Sequence, residues 1–198
     1  MKVACRVGVG GWNFAPWRGT FYPEKLPQAK ELGHASRQLR TIEINSTFYG
    51  AQRPSSFARW HDETPDDFVF AVKGPRYATV RRQLVEGLPS VDRFLRSGVA
   101  KLGEKLGPIN WQLPPFKRFD ASEIDAFLAH LPAEQAGLAL RHALEVRHDS
   151  FRHPEFVAVA RAHDVAIVLA GDAEFPSIPD ATAPFVYARL MGTQAREK

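Results

Sequence analysis

The sequence predicts an α/β fold, a TIM-like (β/α) barrel, and three observations carry that prediction. Seven short apolar segments alternate with helical stretches along the chain, the pattern of parallel strands joined by helices. In strand after strand one face is apolar while the other carries polar residues toward the C-terminal end, as a barrel with a polar mouth requires. A doubly wound sheet, covered on both faces, would be apolar on both and is the competing architecture. Finally, 198 residues that are 44% hydrophobic and 24% charged suit one domain, 1–198, with a substantial core.

Residues 7–10 read as the first strand, and a Trp-, Pro- and Gly-rich loop leads through Pro23 to a helix over 28–39. The second strand spans 41–46. Pro54 then opens a helix to about Glu63, because the first helical turn has no use for the N–H that proline lacks. A third strand covers 68–73 and a helix 89–102. The fourth strand, 108–113, ends at Pro114-Pro115, which cannot extend a ladder. A helix over 122–131 follows, with Asp120 or Ala121-Ser122 near its cap. The fifth strand (140–147), a helix (154–163), the sixth strand (165–170) and the seventh (185–191) complete the order. A closed barrel has eight strands, so seven imply a barrel incomplete at the C-terminus, with an open edge that a partner chain can cover.

Neighbouring side chains of a strand point to opposite faces. Glu43 and Asn45 therefore oppose Ile42 and Ile44, and Lys73 and Ala71 oppose Phe70 and Val72. Gln112 and Asn110 oppose Trp111 and Leu113; Glu145 and Arg147 oppose Leu144 and Val146; Arg189 lies on the Tyr187 side.

The same segments carry a family likeness. Gly8-Val9-Gly10-Gly11-Trp12 with 17–23, Glu43 to Tyr49, Phe70-Ala71-Val72-Lys73, Leu106-Gly107-Pro108 with 112–115, and Glu145-Val146-Arg147-His148 resemble the YecE-like family, domain of unknown function family 72. The likeness runs from Val7 to Gly192 and implies a TIM-barrel-like fold without a settled activity. Two departures stand out. The family often shows Thr-His after the third strand, where this chain has Thr79-Val80, which removes a histidine acid/base there. The family also usually continues past a segment like 185–192.

Glu43 and Glu145 are the acid/base candidates, since burial and neighbouring cations tune carboxyl groups. Lys73 joins them as a catalytic candidate, either holding charge or, with its pKa lowered, acting as a nucleophilic amine. Arg147 and Arg189 complete a clamp for phosphate or carboxylate. Gly10 and Gly11 offer backbone N–H groups, Trp12 a flat wall, and Asn45, Tyr49, Gln112 and His148 further binding contacts. The competing explanation is a salt-bridged layer in which the carboxylates neutralise Lys73, Arg147 and Arg189 without chemistry. The Gly8-x-Gly10 pair is no dinucleotide motif, because Asn13 stands at the third glycine and Pro16-Trp17 occupy the expected helix start. Glu43, Glu145, His148 and Asp172 form a weak oxygen-rich metal set, opposed by three cations on the same rim; no metal and no cofactor are expected.

The lone Cys5 excludes an internal disulfide or a thiolate cluster. No apolar run reaches membrane-spanning length and Arg6 interrupts the start, so the reading is cytoplasmic, with no membrane partner. A formal charge of +4 permits an anionic partner. The sequence thus predicts an enzyme acting on a small anionic or phosphate-bearing substrate. One alternative is a nucleic-acid-binding or phosphodiester-processing protein, with Arg76, Arg81, Arg82, Lys117 and Arg118 beside Tyr77 and Phe116 as its basic surface. The other is a non-catalytic module with structural interior charges.

Overall fold

A computed structural model describes residues 4–171 and 174–191. In chain order, β1 (Gly8–Gly10) is followed by α1 (Glu31–Gln38), β2 (Thr41–Ile44), the short α2 (Ser46–Tyr49) and α3 (Pro54–Glu63). Then come β3 (Val69–Lys73), α4 (Arg76–Thr79), α5 (Leu88–Leu95), β4 (Leu106–Gln112) and α6 (Ala121–His130). The hairpin strands β5 (Glu134–Gln135) and β6 (Leu138–Ala139) precede β7 (His142–Glu145) and α7 (Pro154–Ala162). The chain then forms β8 (Ala166–Ile167), β9 (Leu169–Gly171) and β10 (Ala188–Leu190).

The central sheet has six parallel strands in the order β1-β2-β3-β4-β7-β8, and β9 pairs in parallel with β10. This is an α/β fold with a mostly parallel central sheet, consistent with a TIM-like barrel; no closed barrel is present among the described residues. The predicted sixth strand divides at Val168, where the chain changes neighbours. The Val168 N–H bonds to Leu144 O at 3.0 Å, and the Leu169 N–H to Tyr187 O at 2.9 Å. The predicted helix over 89–102 also divides. Gly98, at φ 103°, breaks it after α5, and tighter 3₁₀ turns run from Val99 to Lys105. The hairpin β5–β6 turns on Ala136 (φ 51°) and Gly137 (φ 78°), and an alanine there gives no sequence signal. Asp120 caps α6 as expected, accepting the Glu123 N–H at 2.9 Å.

The sheet is rolled. Laid flat, β2 and the β10 edge would stand about 24 Å apart, five strand spacings of ~4.8 Å. Yet Arg189 on β10 lies 3.1 Å from the Glu43 carboxylate on β2. The outward face packs Ile42, Ile44, Phe70, Val72, Ile109, Trp111 and Leu144 into one large apolar cluster with the helices. The inward face is lined by small residues, and Ala143, Ala166 and Val168 form a second cluster with Ala183, Phe185 and Tyr187 packed on it. No helix among the described residues is long and apolar enough to cross a membrane.

Candidate functional site

The alternation of β2, β3, β4, β7 and β10 delivers Glu43, Lys73, Asn110, Gln112, Glu145 and Arg189 to the inward face near the strand C-terminal ends. Their backbones are fixed. Thr47 Oγ1 donates to Ile44 O at 3.0 Å and to Lys73 O at 2.7 Å, tying α2 to the end of β3. Gly74 sits flat against the Trp111 ring, leaving no room for a side chain, and its N–H continues the ladder to Asn110 O at 2.9 Å.

Glu43 and Glu145 meet through shared partners. Asn110 Nδ2 donates to Glu145 Oε2 at 3.0 Å and more weakly to Glu43 Oε2 at 3.4 Å, which sets the orientation of its amide. Arg189 bridges the two acids, with Nη1 at 2.8 Å from Glu145 Oε2 and Nη2 at 3.1 Å from Glu43 Oε1. Arg147 takes the other Glu145 oxygen through Nε at 2.9 Å and Nη2 at 2.7 Å, and its guanidinium stacks 4.5 Å from the Phe175 ring centroid. The Tyr187 hydroxyl donates to Glu43 Oε2 at 2.6 Å.

Burial alone raises a carboxyl pKa, but Arg189, Lys73 and Arg147 outweigh it at Glu145 and hold that group below its ordinary value. Burial and the Glu43 carboxylate push the Tyr187 phenol well above its ordinary range, so it is a hydrogen-bond donor throughout the physiological range. Lys73 differs. Its Nζ donates to Gln112 Oε1 and lies 4.6 Å from the Phe48 ring centroid, with no carboxylate oxygen in ion-pair contact among the described residues. Burial, reinforced by Arg189, lowers its pKa to about 8.

The structure therefore brings together Glu43, Lys73, Glu145, Gln112, Arg147 and Arg189. Asn45 stands at their edge: a Cβ on Gly10 would meet its Nδ2 at 2.9 Å and Glu43 Oε1 at 3.6 Å, so Gly10 gives the close approach that β1 needs. Four sequence candidates make other contacts. The Gly11 N–H is spent on Glu43 O at 2.9 Å, extending the β1–β2 ladder instead of facing a ligand. Trp12 packs edge-to-face on Trp60 of α3 at 5.5 Å in the outward apolar layer. Tyr49 is 70% exposed beside Phe48. His148 caps the 149–151 turn, its Nδ1 accepting the Ser150 N–H at 3.1 Å. Asp172, weighed as a metal ligand, lies outside the described residues, as does Gly192. Asn110 and Tyr187 are the members that sequence reasoning left out; both sit on the face it had marked, at Gln112−2 and Arg189−2.

A family model described as "Protein of unknown function DUF72" matches residues 6–198. Among curated proteins, UPF0759 protein YecE of Escherichia coli K12 is 31% identical over 123 residues, 61% of this chain and 42% of that protein. UPF0759 protein YunF of Bacillus subtilis is 26% identical over 155 residues, 76% of this chain and 53% of that one. The matched region is thus about half the length of these relatives. Among solved structures, a DUF72 family protein from Thermotoga maritima superposes with a TM-score of 0.73 at 24% identity, over 92% of this chain and 72% of that one. One from Enterococcus faecalis gives 0.68 at 17% identity, over 90% and 68%. Both likenesses speak to the fold.

Proposed function

The chain belongs to the DUF72 family, and from that premise we propose that it is a cytoplasmic enzyme of TIM-like barrel form acting on a small anionic or phosphate-bearing substrate at the rolled inner face. One observation carries the reading: three cations meet two carboxylates there, and the cation without a carboxylate contact is Lys73. A structural ion-pair layer needs no such surplus, because a buried charge without a counter-ion costs stability. An anionic substrate supplies the missing charge. Lys73 Nζ and Arg147 Nη1, which has no hydrogen-bond partner among the described residues, are the free donors that would hold it. Glu43, with Tyr187 donating to one oxygen, is the acid/base group; Glu145, held ionised, fixes both arginines.

Soaking crystals in sulfate or phosphate tests this. The expected result is an anion within hydrogen-bond reach of Lys73 and Arg147, lost in the Lys73→Met variant. A site free of anion at high concentration would overturn the reading.

A second reading has its own observation. Tyr49, Tyr77 and Phe116 are large and exposed, and all lie in the segments that follow β2, β3 and β4, as do the exposed Arg53, Arg76, Arg81, Arg82 and Arg118; Lys117 is instead buried and paired with Glu123. Aromatic faces among cations suit single-stranded nucleic acid. Titration with an oligothymidylate across salt decides it, since phosphate contacts weaken steeply as salt rises.

A further inference from the structure

Three lysines of the described residues are buried, and their surroundings differ in kind. Lys105 Nζ donates to the carbonyls of His61 at 2.6 Å and Thr64 at 2.8 Å, closing the C-terminus of α3, where a cation meets the negative end of the helix dipole. Lys117 Nζ donates to Arg82 O at 2.8 Å and pairs with the Glu123 carboxylate. Both are anchored as ammonium groups by anionic or dipolar oxygen. Lys73 has one neutral amide oxygen, from Gln112, and an aromatic ring.

That environment holds the ammonium form loosely, so a fraction of the group is free amine near neutral pH. A neutral –NH₂ still donates one hydrogen to Gln112 Oε1 and keeps its lone pair for another atom. Phe48 covers one side of the group, and Thr47 pins the backbone beneath it. Burial and, after it, the Arg189 guanidinium disfavour the ammonium form and outweigh the opposing Glu145 and Glu43 carboxylates, leaving the group at about 8.

We infer that Lys73 is a carbonyl-reactive amine, forming a Schiff base with an aldehyde or ketone whose carboxylate or phosphate group rests against Arg147. This rests on the anion-site reading above and narrows its substrate class to anionic carbonyl compounds. The Nζ lone pair attacks the carbonyl carbon, the C–N bond forms, and the carbonyl π electrons move to oxygen. Both amine hydrogens leave with that oxygen as water, giving C=N without net oxidation. Glu43, with the Tyr187 hydroxyl on its carboxylate, is the nearby group able to pass protons during dehydration.

The test uses the unaltered protein with glyoxylate as probe and cyanoborohydride to reduce the imine, read by intact mass and peptide mapping. Lys73 should be modified at least tenfold faster than the exposed Lys25, Lys30 and Lys101, and inorganic phosphate should slow it. Acetaldehyde, lacking the anionic group, should lose that preference. The Lys73 rate should rise with pH and level off above about 8, whereas the exposed lysines continue upward. Labelling of Lys73 no faster than the surface lysines overturns the inference. If phosphate nevertheless binds in the crystal, only the Schiff base falls; if neither occurs, the anion-site reading falls with it.

Discussion

The outward and inward faces of this sheet are built from the same strands yet hold the molecule together by different physics. Outward, Trp111, Phe70, Ile42 and Leu144 are fully buried against the helices, where interdigitated apolar area supplies the stabilisation. Inward, Ala71, Ala143 and Ala166 are small, and Glu43, Lys73 and Glu145 bring charge beside the neutral Asn110. A buried charged layer contributes little net stability, because desolvation offsets attraction. The contrast teaches that the fold is secured from outside, leaving the inner layer available for binding and chemistry.

The largest expected effect tests the outward half. Trp111→Ala should cost about 3–5 kcal/mol in urea unfolding, since the ring carries the Phe94 and Phe127 contacts and supports Gly74. A loss below ~1 kcal/mol would contradict an outer face that secures the fold.

Glu145→Gln should come next, costing about 3 kcal/mol at pH 7, because Arg147 and Arg189 lose their shared counter-ion. The native Glu145 pKa is depressed, so its contribution is complete above the ordinary value of 4.5 and lost as pH falls through the lower folded value. Stability curves of the two proteins should therefore converge in acid, and parallel curves would remove Glu145 from the ion-pair layer.

Lys73→Met should be smaller and of opposite sign, a gain of about 1–2 kcal/mol at pH 7 accompanied by loss of phosphate binding. The folded Lys73 pKa, about 8, lies below its ordinary 10.5, so the unfolded chain binds the extra proton and native stability rises with pH between those values. The advantage of the methionine should shrink across the same interval. A destabilised Met variant would mean that Lys73 contributes structurally.

Tyr49→Ala should be nearly silent in stability, within about 0.5 kcal/mol, as its ring is solvent-exposed. Any marked effect should appear in oligonucleotide binding.

Strand order and facing were legible because period-two alternation is a local property. Pro114-Pro115, Pro54 and Asp120 likewise mark boundaries by chemistry internal to a few residues. The split at Val168 was not legible, since it depends on Tyr187 O arriving from a distant segment. Neither was the positive φ at Ala136, where hairpin closure overrides an unremarkable side chain. In the site, alternation found Glu43, Lys73 and Glu145, whereas the packing of Trp12 on Trp60 depends on a helix some fifty positions away that no local pattern reveals. Tyr187 was placed on the right face but not in the site, because its acidic partner lies 144 positions away and only curvature of the sheet joins them.

The Arg189 guanidinium acts as a drawstring, gathering β2 and β7 onto β10. Because that one side chain reaches two acids on two strands, removing it would unfasten both, whereas removing Arg147 would release Glu145 alone.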